Sequence, residues 1–179
     1  FGSSVDEHFR VEGNTARWQD ATGPGQTAID GATRFYVDQN GSAYSLALLA
    51  RALLADDDGR IKVLPGGNAS IRRRSTMSFD GPDGQLEITA YEISGLSYNP
   101  ALVMLDQHGR FFATASPRFS MVRQGYESAD KALRDTAEAL STERFVEIQA
   151  NVAHSYDEPV RIRNVRVFDP LTLGLTEPK

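Results

Sequence analysis

The chain has 179 residues, 40% hydrophobic and 24% charged, an ordinary globular composition that excludes a disordered tail or a fibrous repeat. Nineteen Lys and Arg against 24 Asp and Glu leave a net charge of −5, a poor balance for gripping phosphate backbones, so no nucleic-acid partner is expected. Three histidines and no cysteine leave little material for metal, redox or thiol chemistry, and no apolar run reaches the ~18 residues of a spanning helix, so no transmembrane segment is expected.

The chain opens in β signals. Val5, Glu7, Phe9 and Val11 alternate with Asp6, His8 and Arg10, the period of a strand with one buried face. Glu12-Gly13-Asn14 is turn chemistry, since Gly and Asn tolerate positive φ. A second strand runs from Ala16 to Gln19 and carries the sole tryptophan, Trp18. Asp20 to Gly25 reads as a loop because of Gly23-Pro24-Gly25, and Arg34-Phe35-Tyr36-Val37 as a further strand before a turn at Asn40-Gly41.

A helix follows. Leu46, Leu49, Ala50, Leu53 and Leu54 make one apolar stripe, with Ser42 in the N-cap place and Gly59 where the helix must stop. Asp56, Asp57 and Asp58 stand at its negative end, against the helix dipole. From Ile61 to Val122 β signals return: Ile61 to Leu64, a Pro65-Gly66-Gly67 turn, alternation from Ala69 to Ser75, and a hairpin turn at Gly81-Pro82-Asp83-Gly84. Leu86 to Ile93 is the next strand. Ala101 to Leu105 and Phe111 to Thr114 flank the Asp106 to Arg110 turn as a second hairpin.

Ser128 to about Ala153 is the second helical region. Leu133, Ala137 and Leu140 form its stripe, which Phe145, Ile148 and Val152 continue after a phase shift near Ser141-Thr142. Asp130 and Arg134 make an acid-before-base pair one turn apart. Val146 to Val152 also fits a period of two. Pro159 ends any helix, and Val160 to Phe168 is a predicted strand with Arg161, Arg163 and Arg166. Short strands separated by turns favour an antiparallel meander over a βαβ array. The expected fold is therefore α+β: a curved, half-barrel-like antiparallel sheet with both helical segments packed on one face. Residues 1–153 form a β-rich accessory domain, and 154–179 a linker and the first strand of a following domain.

Few residues suggest chemistry. His8, His108 and His154 are far apart and form neither H-x-H nor H-E-x-x-H, so they read as strand, turn and post-helix residues and not as metal ligands. No serine has the flanking glycines of a nucleophile elbow. Pro65-Gly66-Gly67-Asn68 lacks the lysine and the strand–loop–helix setting of a phosphate loop and reads as a tight turn. Asp56-Asp57-Asp58-Gly59 supplies at most half the oxygen ligands of a Ca²⁺ loop and reads as a solvated turn. Arg72-Arg73-Arg74 is too small a patch for nucleic acid; an exposed strand edge or pairing with the Asp run accounts for it. Tyr98-Asn99-Pro100 and Arg118 to Val122 bring aromatic and polar groups together in a way that suits a groove or a plugged sheet mouth.

One stretch carries a family likeness. Val160-Arg161-Ile162-Arg163-Asn164-Val165-Arg166-Val167-Phe168-Asp169 resembles the opening strand of metal-dependent amidohydrolases, with Asn164 and Val167-Phe168-Asp169 as its informative positions. The order of meander, Leu/Ala-rich helix, Val63-Leu64-Pro65-Gly66-Gly67, then Gly125-Tyr126-Glu127 and a helix is similar to the leader region of secreted bacterial amidohydrolase-related proteins. The resemblance implies a parent that hydrolyses C–N or related bonds in a downstream (β/α)₈ barrel. That barrel would hold the divalent metal, while this chain holds no cofactor and no catalytic residue. The abrupt ends read as cuts through a longer polypeptide that has lost its leader, in a periplasmic or secreted setting. The chain is then a non-catalytic accessory region whose partner is the downstream catalytic domain. The alternative is a half-barrel binding module for an apolar, lipid-like small molecule, with Leu102, Met104, Phe111, Phe112 and Phe119 lining its groove. A third reading is a stand-alone hydrolase with an unfamiliar Asp/His arrangement.

Overall fold

The computed structural model describes residues 6–29, 34–39, 41–82 and 84–178. Val5 of the first expected strand, Asn40 of the expected turn and Asp83 of the hairpin turn lie outside the described residues. The chain divides into two compact units, one up to Thr142 and one from Glu143 onward.

The first unit begins with a three-stranded antiparallel sheet, β1 (His8–Glu12), β2 (Thr15–Asp20) and β3 (Gly23–Ala28), in that spatial order. The expected loop over Gly23-Pro24-Gly25 is thus largely strand β3. Pro24 is tolerated because β3 is an edge, where a missing N–H costs no ladder bond. Gly25 is needed because the Trp18 indole covers it, and any Cβ there would overlap the ring.

The main sheet has seven strands in the order β10-β9-β8-β7-β6-β5-β4. They are β4 (Arg34–Tyr36), β5 (Arg60–Leu64), β6 (Asn68–Gly81), β7 (Gly84–Ser94), β8 (Ala101–Asp106), β9 (Phe111–Ser116) and β10 (Phe119–Val122), with α1 (Ala43–Leu54) between β4 and β5. Six of these strands form the expected meander, and the α+β class with a curved, mostly antiparallel sheet and no closed barrel holds. One pair departs from it: β4 runs parallel to β5. The apolar stripe of α1 makes this β4–α1–β5 unit, because a parallel neighbour requires a crossover and the helix supplies it. The edge strands β4 and β10 both contribute walls to one cavity, so the sheet curls around α1.

The helices do not share a face of this sheet. Ala47, Leu49, Ala50 and Leu53 of α1 pack with Ile61, Val63, Ala69, Ile93, Val103 and Leu105. Neighbouring strand residues point to the opposite side, and there Leu86, Ile88, Ala90, Met104 and Phe112 pack with Tyr126, Ala129 and Leu133. Ala129 ends a 3-10 turn (Glu127–Ala129) and Leu133 lies in α2 (Asp130–Val152). The expectation of both helices on one face is corrected accordingly: each covers one side. Helical periodicity marks which side of a helix is apolar, but not which side of a sheet receives it. The Asp130–Arg134 pair forms as expected at 3.0 Å.

The second unit holds the rest of α2, an irregular stretch, and a two-stranded antiparallel ladder of β11 (Phe168–Asp169) and β12 (Gly174–Leu175). The predicted strand over Val160–Phe168 is therefore almost entirely irregular, and only its last residue joins a ladder. Asn164 adopts a φ of 60°, a left-handed conformation that breaks an extended run and that Asn tolerates better than most residues.

Candidate functional site

The five residues expected to line an apolar groove are not brought together. Met104 and Phe112 are fully buried in the core on the α2 side, with Leu102 partly buried against the same cluster. The ring of Phe112 meets Tyr126 edge-on at 5.2 Å and stacks with Phe79 at 5.6 Å. Phe111 packs on the other side, against the α1 cluster. Strand alternation separates Phe111 from Phe112: Phe111, opposite Leu105, joins the α1 side, while a register shift in the β8–β9 ladder leaves Phe112 as an extra residue that shares the α2 side with Ala113. Phe119 is 55% exposed. It alone of the five reaches a cavity of ≈370 Å³, whose walls include Phe35, Val37, Leu46, Leu49 and Met121.

The basic and acidic runs are locally accounted for. Arg72 and Arg74 both reach Glu92, at 3.3 and 3.1 Å, and Arg73 donates to Thr76 Oγ1 at 2.8 Å. These arginines belong to an interior strand of the sheet and not to an edge, and Arg72 and Arg74 find their acid, Glu92, on the neighbouring strand β7. Asp56 and Asp58 accept from the backbone N–H groups of Asp58 and Arg60 in the turn after α1, an Asx arrangement that explains their placement against the dipole. Among the described residues no three His, Asp or Glu side chains gather closely enough to hold a metal ion.

Two polar clusters are built by tertiary contacts. In the first, the Tyr36 hydroxyl donates to Glu7 Oε1 at 2.7 Å, the Gln39 backbone N–H donates to the same carboxylate at 3.1 Å, and Phe9 stacks on Tyr36 at 4.6 Å. These contacts join β1 and the residues before it to β4 beside an apolar cavity of ≈500 Å³. Burial, together with the Glu7 carboxylate, pushes the Tyr36 phenol well above its usual pKa.

The second cluster lies in the β8–β9 turn. The Asp106 side chain is fully buried. Its Oδ1 accepts from the backbone N–H groups of His108 and Arg110 at 2.9 and 3.0 Å. Its Oδ2 accepts from Arg110 Nε and Arg123 Nη2, both at 3.0 Å. Burial by itself would raise this carboxyl, but these four donors outweigh it and hold the pKa below the ordinary carboxylate value. Arg123 is also tied to the Phe111 carbonyl through Nε, at 3.2 Å. Arg110 and Arg123 thereby line a cleft of ≈410 Å³ opposite one face of α1, where Tyr44, Ala47, Leu48 and Arg51 stand at helical spacing. Arg51 occupies the last turn of α1, where a cation suits the helix dipole. Sequence reasoning missed this site. Its signals were an Asp opening a tight turn before Gly109 and an arginine just past β10, but only the fold makes Arg123 a neighbour of Asp106.

The remaining candidate surface is apolar. In the second unit Val160, Ile162, Val167, Phe168, Leu171, Leu173 and Leu175 are all exposed, Leu171 at 93% and Ile162 at 73%. Phe145, Ile148 and Val152 of α2 are exposed too. No family model matches this chain, and no curated protein or solved structure matches it either.

Proposed function

We propose that the chain is a non-catalytic accessory region of a hydrolase of the metal-dependent amidohydrolase kind. Its segment from Val160 onward contributes to a following domain of the same polypeptide. The observation that carries this reading is the set of exposed large apolar side chains on the very segment that bears the Asn164 to Asp169 phrase. Burying one such side chain is worth about 1.5–3 kcal/mol, so a run of them left in water favours a covering partner. The same likeness supports a periplasmic or secreted setting, which cell fractionation checks. Sequencing past Lys179 is the direct test: an H-x-H motif within a few tens of residues supports the reading, and a stop codon there overturns it. In the whole polypeptide, Ile162→Asp with Leu171→Asp is expected to lower hydrolase stability sharply.

A second reading, a module for an apolar small molecule, is supported by the ≈370 Å³ cavity at Phe119 and Met121, a volume within the usual ligand-pocket range of about 300–1,000 Å³. Displacement of a fluorescent fatty acid, weakened by Phe119→Asp, is its test. A chain that never binds the probe sinks it.

A further inference from the structure

We propose that the arginine cleft between α1 and the β8–β9 turn binds a phosphate monoester carried on a small apolar or aromatic body. This site is independent of the accessory reading. Three arginines, Arg51, Arg110 and Arg123, line the cleft, and one carboxylate, Asp106, pairs with the last two. The surplus of about two positive charges matches a phosphate monoester, which carries about −1.5 to −2 at pH 7, better than it matches a single carboxylate. Guanidinium forks fit phosphate oxygens with paired N–H donors.

The cleft is also prepared for a ligand. Asp106 is buried and holds Arg110 and Arg123 from behind, so less side-chain freedom remains to be lost on binding. Arg51 has no acceptor among the described residues, which leaves its donors for an incoming anion. The other walls, Tyr44, Ala47, Leu48 and Phe111, are apolar or aromatic, with Tyr44 and Leu48 exposed. They suit a hydrocarbon or ring body better than a bare inorganic ion. The volume of ≈410 Å³ lies within the range of small-molecule sites, about 300–1,000 Å³. The overall charge of −5 does not oppose this, because distant surface charges are screened beyond about 8 Å at physiological salt.

The test is a titration of the 179-residue chain with phenyl phosphate, followed through the arginine Nε–H and Gly109 amide signals by NMR. Saturable shifts are expected at Arg51, Arg110, Arg123 and Gly109. Inorganic phosphate and benzoate should each bind at least about fivefold more weakly, since each lacks one half of the recognition. Arg51→Gln, at an exposed position, should weaken phenyl phosphate about tenfold while leaving the thermal midpoint unchanged. The proposal is overturned by the absence of saturable shifts up to ~10 mM, by benzoate or inorganic phosphate binding as well as phenyl phosphate, or by undiminished binding in a folded Arg51→Gln variant.

Discussion

Up to Thr142 the large apolar residues go mainly into two filled layers, one on each side of a seven-stranded sheet, whereas from Glu143 onward most of them meet solvent. The two regions do not differ in the kind of residue they use, since Phe, Ile, Val and Leu occur in both. They differ in whether long strands bring those residues opposite one another. β6 and β7 extend over 14 and 11 residues, while the ladder of the second unit pairs only two residues with two. A short ladder cannot offer a covered face, so the same side chains that make a core in one region make an adhesive surface in the other.

The comparison breaks most readily at Phe112. Phe112→Ala removes the ring between Phe79 and Tyr126 and is expected to cost about 3–5 kcal/mol in urea unfolding; a cost under about 1 kcal/mol would mean that the α2-side layer is not a packed core. Next is Asp106→Asn, which removes the charge that both Arg110 and Arg123 share and should cost about 2–3 kcal/mol. The sign with pH follows. Because the folded carboxyl titrates below its ordinary value of 3.8, its contribution is complete above the ordinary range and is lost as pH falls through the lowered folded value. Urea midpoints from pH 7 to pH 3 should therefore fall less steeply in Asp106→Asn than in the parent. Gly25→Ala should cost about 1–3 kcal/mol through the Trp18 indole, with a changed tryptophan emission as its local sign. The smallest effect belongs to the second unit. Leu171→Ser should leave the main unfolding transition within about 0.5 kcal/mol, and amide exchange from Glu143 onward should need far less opening energy than in β7 and β8. Strong protection there would show a core where the side chains are exposed.

Local pattern made much of the first unit legible. The α1 stripe, the hairpin at Asp106 to Arg110 and the hairpin between β6 and β7 are written in spacings of a few residues and in turn chemistry, and they form where expected. The rest depends on contacts that spacing does not carry. The parallel pairing of β4 with β5 needs the whole crossover. The strand at Gly23 to Ala28 exists because Trp18 lies across Gly25 and because β3 is an edge, so the local Pro and Gly signals were misleading. Phe112 and Ala113 are consecutive, so alternation would part them, yet a bulge places both in the α2-side layer.

What the sequence determined by itself, then, is the α+β class, the meander and the helix positions. These follow from periodicity and composition, which act over a few residues. Only the tertiary structure decided that the helices cover opposite sides, that the five expected groove residues separate, and that Asp106 gathers Arg110 and Arg123 opposite Arg51. The physical reason is common to all three: each is set by which strand lies beside which and in what register. A one-residue shift there reverses the direction of every side chain.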